Sequence, residues 1–294
     1  MSFSSKKPQL VTIYCALYNH ERYAFNSITS MLNQDYPNLQ IIISDDCSTD
    51  QTYEIAEELV NEYKGSSQVI LRRNSVNLGV IKHVEILLSL SKGNWIFQAA
   101  GDDVSYLTRV SDVMNFIDES HVNIKGVFTN LCVIDENDNK QKLYFESMPN
   151  CAKNIKEYRS GLSCWAIGAS LCFNRIVYDK YGDFVKNVIG EDGCLAFRVL
   201  LEGDLEYLDY PTVYYRIHNN NLSQNLTMKQ KINFKNKEQW LHINHLKDAE
   251  LNHKDDEFKN KIRKKIVKAF LLNWLLSTKL VKVLFWCEKI KLKL

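Results

Sequence analysis

Four times in the first hundred residues a short apolar run, rich in β-branched residues, stops abruptly at polar ones, and this alternation constrains the fold more than any other feature of the chain. The runs are Leu10 to Ala16, Leu39 to Ser44, Val69 to Leu71 and Trp95 to Ala100. Between them lie longer stretches with helical spacing, through Ile28, Met31 and Leu32, from Gln51 to Tyr63, and from Val80 to Leu90. Short strands alternating with helices predict an α/β domain with a parallel, Rossmann-like sheet and crossover helices. Right-handed crossovers bring the polar strand ends to one edge of that sheet, which is where open α/β sheets bind ligands. No G-x-G-x-x-G follows the first run, so a dinucleotide site of the NAD type is not expected.

The most telling of these ends is Gly101-Asp102-Asp103. Paired carboxylates at a strand end suit a hard divalent cation, which takes oxygen ligands and bridges to phosphates; equally, either Asp can cap the helix that begins near Tyr106. Tyr18 and Asp46 end earlier strands and converge on the same edge. An aromatic face there stacks a nucleobase and a carboxylate accepts a base N–H, the rival readings being a half-buried core ring and a helix cap.

The chain's 294 residues include only 4 prolines and are 45% hydrophobic, enough for a substantial core and incompatible with disorder. The net charge of +2 conceals an asymmetry: residues 259–294 carry 11 Lys and Arg against Glu288 alone, leaving the remainder acidic. Such a local basic segment marks a surface that meets something acidic. The 8 cysteines are scattered without a C-x-x-C pair, as free thiols of a reducing compartment are. The segment from Met1 to Pro8 has no apolar core of a signal peptide, so a cytoplasmic location is expected.

Further on, Tyr106 to about Glu119 has a helical pattern, and Gly126 to Ile134 reads as a strand ending in Asp135-Glu136-Asn137-Asp138-Asn139. That acidic loop lacks EF-hand spacing and reads as a solvated hairpin. Cys151 to Arg159 reads as a mobile surface segment, and Gly161 to Phe173, with Trp165, returns to the core. Glu191-Asp192 opens a helical run, where free backbone N–H groups stabilise carboxylates. Leu205 to Leu208 and Val213 to Ile217 read as two short strands, leading to His218.

Together these motifs resemble a known family. Leu17-Tyr18-Asn19, Asp45 to Asp50, Asn77-Leu78-Gly79, Gly101-Asp102-Asp103, Gly190-Glu191-Asp192-Gly193 and Tyr215 to Ser223 follow, in order and spacing, the signatures of the GT-A fold, family 2 glycosyltransferases. The resemblance implies an inverting transferase that moves a sugar from a nucleoside-diphosphate sugar to an acceptor hydroxyl in cell-surface polysaccharide or glycolipid synthesis. It implies Asp46 at the base of the donor, a divalent cation (Mn2+ or Mg2+) on Asp103 of the D-x-D element, Asp102 at the ribose or the metal, and Asp192 as catalytic base. Ala16, Tyr18 and either Lys82 or His83 fall on the donor side, and a neutral His218 imidazole either completes the metal shell or contacts the diphosphate. Glu191 and Trp165 fall on the acceptor side. The chain departs from the pattern at Cys15 and Ala16, at Cys47 where a glycine is usual, and at Ala100, where many members carry the first Asp of the D-x-D element. A non-catalytic nucleotide-sugar-binding scaffold and a sugar-1-phosphate nucleotidyltransferase are the rival functions; the second calls for a Gly-rich basic loop after the first strand, and Leu17-Tyr18-Asn19-His20 is neither.

The expected organisation is a GT-A domain over residues 1–225 with helices on both faces of its sheet, and a helical, basic, amphipathic segment over 226–294. In the latter Lys261, Lys264, Lys268, Lys279, Lys282 and Lys289 share a narrow helical arc, with Ile262, Ile266, Phe270, Trp274, Leu275, Leu284, Phe285 and Trp286 around it. The uncharged run Ala269 to Thr278 is too short to span a bilayer. Such a segment lies in the interface of an anionic membrane, placing the protein peripherally on the inner face, or it packs as a helical hairpin on the domain or in a homodimer. No nucleic acid is expected as a partner.

Overall fold

The computed structural model describes residues 7–218, 221 and 238–277. Part of the Tyr215 to Ser223 motif, Cys287 and the tail beyond residue 277 therefore lie outside the described residues, as do the side chains of Trp274 and Leu275. The contacts divide the chain into one unit of residues 1–183 and 191–218 and another of residues 184–190 and 219–294.

In the first unit β1 (Val11–Leu17), β2 (Leu39–Asp45), β3 (Gln68–Arg73) and β4 (Trp95–Ala100) alternate with α1 (Ala24–Leu32), α2 (Thr52–Glu62) and α3 (Val80–Leu90). The strands pair in parallel in the order β3-β2-β1-β4, as the alternation predicted, so the C-terminal ends of β1, β2 and β4 share one edge. Side chains alternate across a strand. Val11, Ile13, Cys15 and Leu17 face a core with Ile28 and Met31 of α1, Ala56 of α2, and Val110 and Val113 of α4 (Arg109–Glu119). Thr12, Tyr14 and Ala16 point the other way, beside Ile96 and Gln98 of β4. Each fully buried aliphatic side chain contributes about 1.5–3 kcal/mol, and this two-sided burial explains why the runs have little polar alternation.

The sheet continues through β8 (Cys172–Asn174), β6 (Ile124–Ile134), β9 (Asp204–Arg216) and the two-residue β5 (Val104–Ser105), with β7 (Lys140–Leu143) on β6. β8 is antiparallel to β4 and β6, whereas β6 and β9 are parallel. Two short strands were expected over 205–217; they are one strand of 13 residues. Its register against β6 shifts around Pro211, which has no N–H to donate, and the irregularity keeps the ladder intact on both sides. β6 and β7 form the expected hairpin.

The segment 151–159 is not a mobile surface stretch. Cys151 and Ala152 are buried, and α5 (Ile155–Ser160) is capped by Asn154, whose Oδ1 accepts from Lys156 and Glu157 N–H, both at 3.1 Å. Gly161 closes it with φ +116°. The four-residue α6 (Ile176–Asp179) and then α7 (Glu191–Glu202) complete the unit.

In the second unit α8 (Glu238–Leu251) packs on α9 (Asp256–Ser277). Phe258, Ile262 and Ala269 of α9 are buried, at helical spacing, while Val267, Phe270 and Leu271 are exposed beside Lys264 and Lys268. No helix among the described residues is long and apolar enough to cross a membrane.

Candidate active site

The loops at the shared strand edge are stitched to one another. Asn19, with φ +54°, donates its N–H to Ser48 Oγ and accepts from Thr49 N–H at Oδ1, both at 2.9 Å. The His20 N–H reaches Thr52 Oγ1 at 2.7 Å. These bonds fix the Leu17 to His20 loop against the Asp45 to Asp50 loop. Asp45 is fully buried and holds its own turn, accepting from Ser48 and pairing with Arg73 Nε at 3.2 Å. Cys47, with φ +62°, occupies the left-handed conformation that favours glycine.

Asp46 is buried under the next loop. Its carboxylate accepts from Asn74 Nδ2 at 2.7 Å and from Leu78 and Gly79 N–H, each at 2.9 Å. Behind it Arg72 donates to Asn74 Oδ1 at 2.5 Å and to Ser44 Oγ at 2.6 Å, and His83 Nε2 meets the same Ser44 Oγ at 2.6 Å. Burial holds the His83 imidazole below its ordinary pKa against the pull of Asp46. Asp46 is thus the anchor of the Asn77-Leu78-Gly79 loop. Tyr18 stands 43% exposed at the rim, and Ala16 lies in register with Ser44 and Ala100, a row of small side chains near the end of β1. Lys82 is exposed and pairs with Glu85 at 2.5 Å, whose hydrogen bond raises the lysine's pKa.

The structure separates the two aspartates of Gly101-Asp102-Asp103. Asp102 meets His218, Oδ2 to Nε2 at 3.0 Å. Burial raises its carboxyl, but the His218 hydrogen bond and the nearby His20 prevail and bring it below the usual range. Asp103 accepts the Arg216 N–H at Oδ1, 2.9 Å, and burial beside Asp102 pushes its carboxyl upward. Neither caps a helix, because β5 intervenes and α4 begins only at Arg109. Gly101 is required here: a Cβ would lie 2.2 Å from His20 Nδ1. Among the described residues no group of three or more His, Cys, Asp or Glu side chains is placed to hold a metal ion by itself. Asp102 and His218 supply one oxygen and one nitrogen donor, a set that suits a cation only if a diphosphate completes its shell. Asp103, expected as the metal ligand, is engaged with main chain.

Arg216 was missed by the sequence reading and is the centre of this region. It is 1% exposed. Nε donates to Asp102 O at 2.8 Å, Nη1 to Asp135 O at 3.1 Å and Nη2 to Asp138 Oδ1 at 2.6 Å, and the guanidinium lies 4.7 Å from the Tyr23 ring centroid. Arg22 adds Nη1 to Glu136 Oε2 at 2.9 Å and Nη2 to Asn137 Oδ1 at 3.1 Å. The acidic hairpin is exposed, as expected of a solvated one, and two arginines tie it to the Asp102 loop and to the turn that precedes α1.

Glu191 and Asp192 are the first residues of α7 and are half-buried. Asp192 Oδ1 accepts from Gly193 N–H at 2.8 Å. Burial raises the Asp192 carboxyl, against the hydrogen bonds it accepts from Gly193 and Gly168. Burial and then the charge of Asp192 push Glu191 up to about 7. Two neighbouring acids, both raised above the ordinary carboxylate range by burial, make a candidate proton-accepting site. Trp165 packs in an aromatic cluster, 5.9 Å from Phe128 and 5.8 Å from Phe145 between ring centroids.

The sequence profile described as "Glycosyl transferase family 2" matches residues 12–181. The chain is 27% identical to the UDP-Glc:alpha-D-GlcNAc-diphosphoundecaprenol beta-1,3-glucosyltransferase WfaP of Escherichia coli, over 74% of this chain and 81% of that one. Two other curated relatives, from Bacillus subtilis and Haemophilus influenzae, are spanned over only 44% and 39% of their own length. Among solved structures, Staphylococcus aureus TarS in complex with UDP-GlcNAc superposes with a TM-score of 0.64 at 18% identity, covering 88% of this chain and 72% of that one. The mannosyltransferase PcManGT of Pyrobaculum calidifontis, in complex with GDP-Man and Mn2+, gives 0.54 at 14% identity, covering 97% and 81%. With a family profile over more than half its length and a GT-A sheet, the chain belongs to glycosyl transferase family 2.

Proposed function

We propose that this chain is an inverting glycosyltransferase that moves a sugar from a nucleoside-diphosphate donor to an acceptor hydroxyl in cell-surface polysaccharide or glycolipid synthesis. The observation that carries the reading is the Glu191–Asp192 pair at the start of α7, in the same unit as the loops of Asp46 and Asp102 at the sheet edge. Asp46 fixes the loop that receives the base, and the exposed Tyr18 ring offers a stacking face. Asp102 and His218 are the residues that would hold a divalent cation, with Asp103 bracing their loop through Arg216. Such a cation, when bound, offsets negative charge on the leaving diphosphate. Asp192 takes the proton of the acceptor hydroxyl as its oxygen attacks the anomeric carbon from the face opposite the leaving group. Trp165 and Glu191 border the acceptor.

Uridine nucleotides come first as candidate donors, because WfaP is named for UDP-Glc and TarS was solved with UDP-GlcNAc. The test is a thermal-shift screen of UDP, GDP and their sugars with and without manganese, since a ligand bound only by the folded state raises Tm. UDP is expected to raise Tm, and more so with manganese than with EDTA. No shift with any nucleotide removes the donor site; equal shifts with manganese and EDTA remove the cation.

We further propose that the basic C-terminal segment holds the enzyme on the inner face of the membrane, beside a lipid-linked acceptor. Exposed Val267, Phe270 and Leu271 flanked by Lys264 and Lys268 support this, as each basic residue near an anionic surface contributes about 1 kcal/mol. The full chain is expected to float with anionic liposomes at low salt and less at high salt. Replacing Phe270 and Leu271 by Ser and Lys264 and Lys268 by Glu should abolish flotation; binding unchanged by these substitutions rejects the assignment.

A further inference from the structure

We propose that Tyr23 is a positioning residue of the donor site: its ring, packed on both Arg216 and His218, sets the two side chains that hold Asp102 and with them the hold on the diphosphate half of the donor. The inference rests on the reading of Asp102 and His218 as the cation and diphosphate end of that site.

Asp102 is held at both its ends. Arg216 Nε donates to its carbonyl at 2.8 Å, and His218 Nε2 meets its carboxylate at 3.0 Å. Both holders come from the exit of β9, where the Ile217 N–H between them donates to Ile134 O at 2.9 Å. One ring touches both. The Tyr23 ring centroid lies 4.7 Å from the Arg216 guanidinium carbon and 5.0 Å from the His218 ring centroid, the two rings tilted by 36°. Arg22 sets a second guanidinium over the same ring at 5.5 Å. An aromatic face carries partial negative charge and attracts a guanidinium placed over it, so the ring fixes Arg216 by attraction and the imidazole by packing. With side-chain exposures of 7% and 14%, His218 and Asp102 meet largely out of water, where moving either one off the other is costly.

The ring stands on a rigid support. Tyr23 is the residue before α1; its N–H donates to His20 O at 2.8 Å and its carbonyl accepts from Ser27 N–H at 3.1 Å. The helix behind it is anchored in the core through Ile28 and Met31, and the His20 N–H is tied to Thr52. Tyr23 thus carries the fixed position of α1 across to the exit of β9 at the level of Asp102. The base loop has supports of its own, since Asp46 is held by Asn74, Leu78 and Gly79. Replacing the ring by an aliphatic chain therefore loosens the diphosphate end of the donor site and leaves the base end in place.

The test is calorimetric titration of UDP and of UMP into the full chain and its Tyr23→Leu and Tyr23→Phe variants, in manganese and in EDTA, with GDP and GMP in their place if the nucleotide screen selects guanine. UMP has the same base and ribose and lacks the second phosphate. In manganese, Tyr23→Leu is expected to weaken UDP about five- to tenfold, the size of a desolvated cation–π contact, and UMP by less than about twofold. Tyr23→Phe keeps the ring face and should restore UDP to within about twofold of the unaltered chain. The losses in Tyr23→Leu and His218→Ala should be less than additive in the double variant, as for two residues that act through one contact. Unchanged UDP affinity in Tyr23→Leu, an equal loss for UMP and UDP, full additivity with His218→Ala, or a Tyr23→Phe variant as weak as Tyr23→Leu overturns the proposal. Should Tyr23→Leu not fold, Tyr23→Met is read the same way. Equal affinity in manganese and EDTA for the unaltered chain removes the cation, and the comparison of UDP with UMP still decides the role of Tyr23. If the unaltered chain binds no nucleotide, the donor site itself falls; if it binds UDP and Tyr23→Leu binds it equally well, the donor site stands and only the role of Tyr23 is removed.

Discussion

Asp192→Asn should bind nucleotide as the unaltered chain does and lose transfer by about 100- to 1000-fold, the range expected when a general base is removed. The substitution is close to isosteric, and an asparagine Oδ1 still accepts the Gly193 N–H that Asp192 accepts at 2.8 Å. The start of α7 therefore keeps its geometry, and Tm should change little. What disappears is the proton acceptor, together with a negative charge beside Glu191. The Glu191 carboxyl, held up first by burial and then by that charge, should titrate lower in the variant. The sign of the pH dependence follows from Asp192 itself. Its carboxyl is raised by burial, so the acid limb of transfer should lie above the ordinary aspartate range, with activity lost as pH falls through it. Steady-state kinetics with the donor found by the nucleotide screen, beside nucleotide affinity by thermal shift, decide the matter. Near-normal turnover would move the base elsewhere, with Glu191 next.

How much of this was legible in the sequence depended on how local its cause was. The parallel half of the sheet was, because strands buried on both faces must be continuously apolar and must end where polar loops begin; Leu10 to Ala16 and Trp95 to Ala100 differ from β1 and β4 by a residue at most. The capped turn at α5 has a local signal too, since Asn154 and Gly161 bracket it as a cap pair does, although Cys151 to Arg159 was expected to be a mobile surface segment. β9 could not be read as one strand, because Pro211 breaks the pattern locally and only pairing with β6 shows that the ladder resumes. The same limit applied to the site. That Asp102 and Asp103 are acids at a strand end was plain; what each of them meets was set by residues 113 to 116 positions away, the Arg216 N–H reaching Asp103 and His218 reaching Asp102. Asp46 was singled out as an acid of the second loop, but its partners Asn74, Leu78 and Gly79 come from the far side of β3.

Arg216 carries the second large effect. Arg216→Met should lower stability by about 3 kcal/mol, because the side chain serves two main-chain oxygens, Asp102 O at 2.8 Å and Asp135 O at 3.1 Å, and leaving each unsatisfied costs about 1–3 kcal/mol. Methionine fills much of the same volume, so a cavity adds little. The pair with Asp138 counts for less, since that carboxylate is about half exposed and water replaces its partner. In a chain of this size the change corresponds to a Tm lower by about 6–12 °C. Arg216→Lys should fall between the two, for an ammonium is a point charge on a shorter reach and cannot serve three acceptors in a fixed fork. The loss should also reach the site. Asp103 would keep the Arg216 N–H, which belongs to the backbone, but the Asp102 carbonyl and the hairpin at Asp135 would no longer share one guanidinium. Nucleotide affinity in manganese should therefore fall in both variants, measured where each is fully folded, by more than it falls in EDTA. A Tm within about 2 °C of the unaltered chain in Arg216→Met would show that water takes over both carbonyls and that the guanidinium does not join the hairpin to the Asp102 loop.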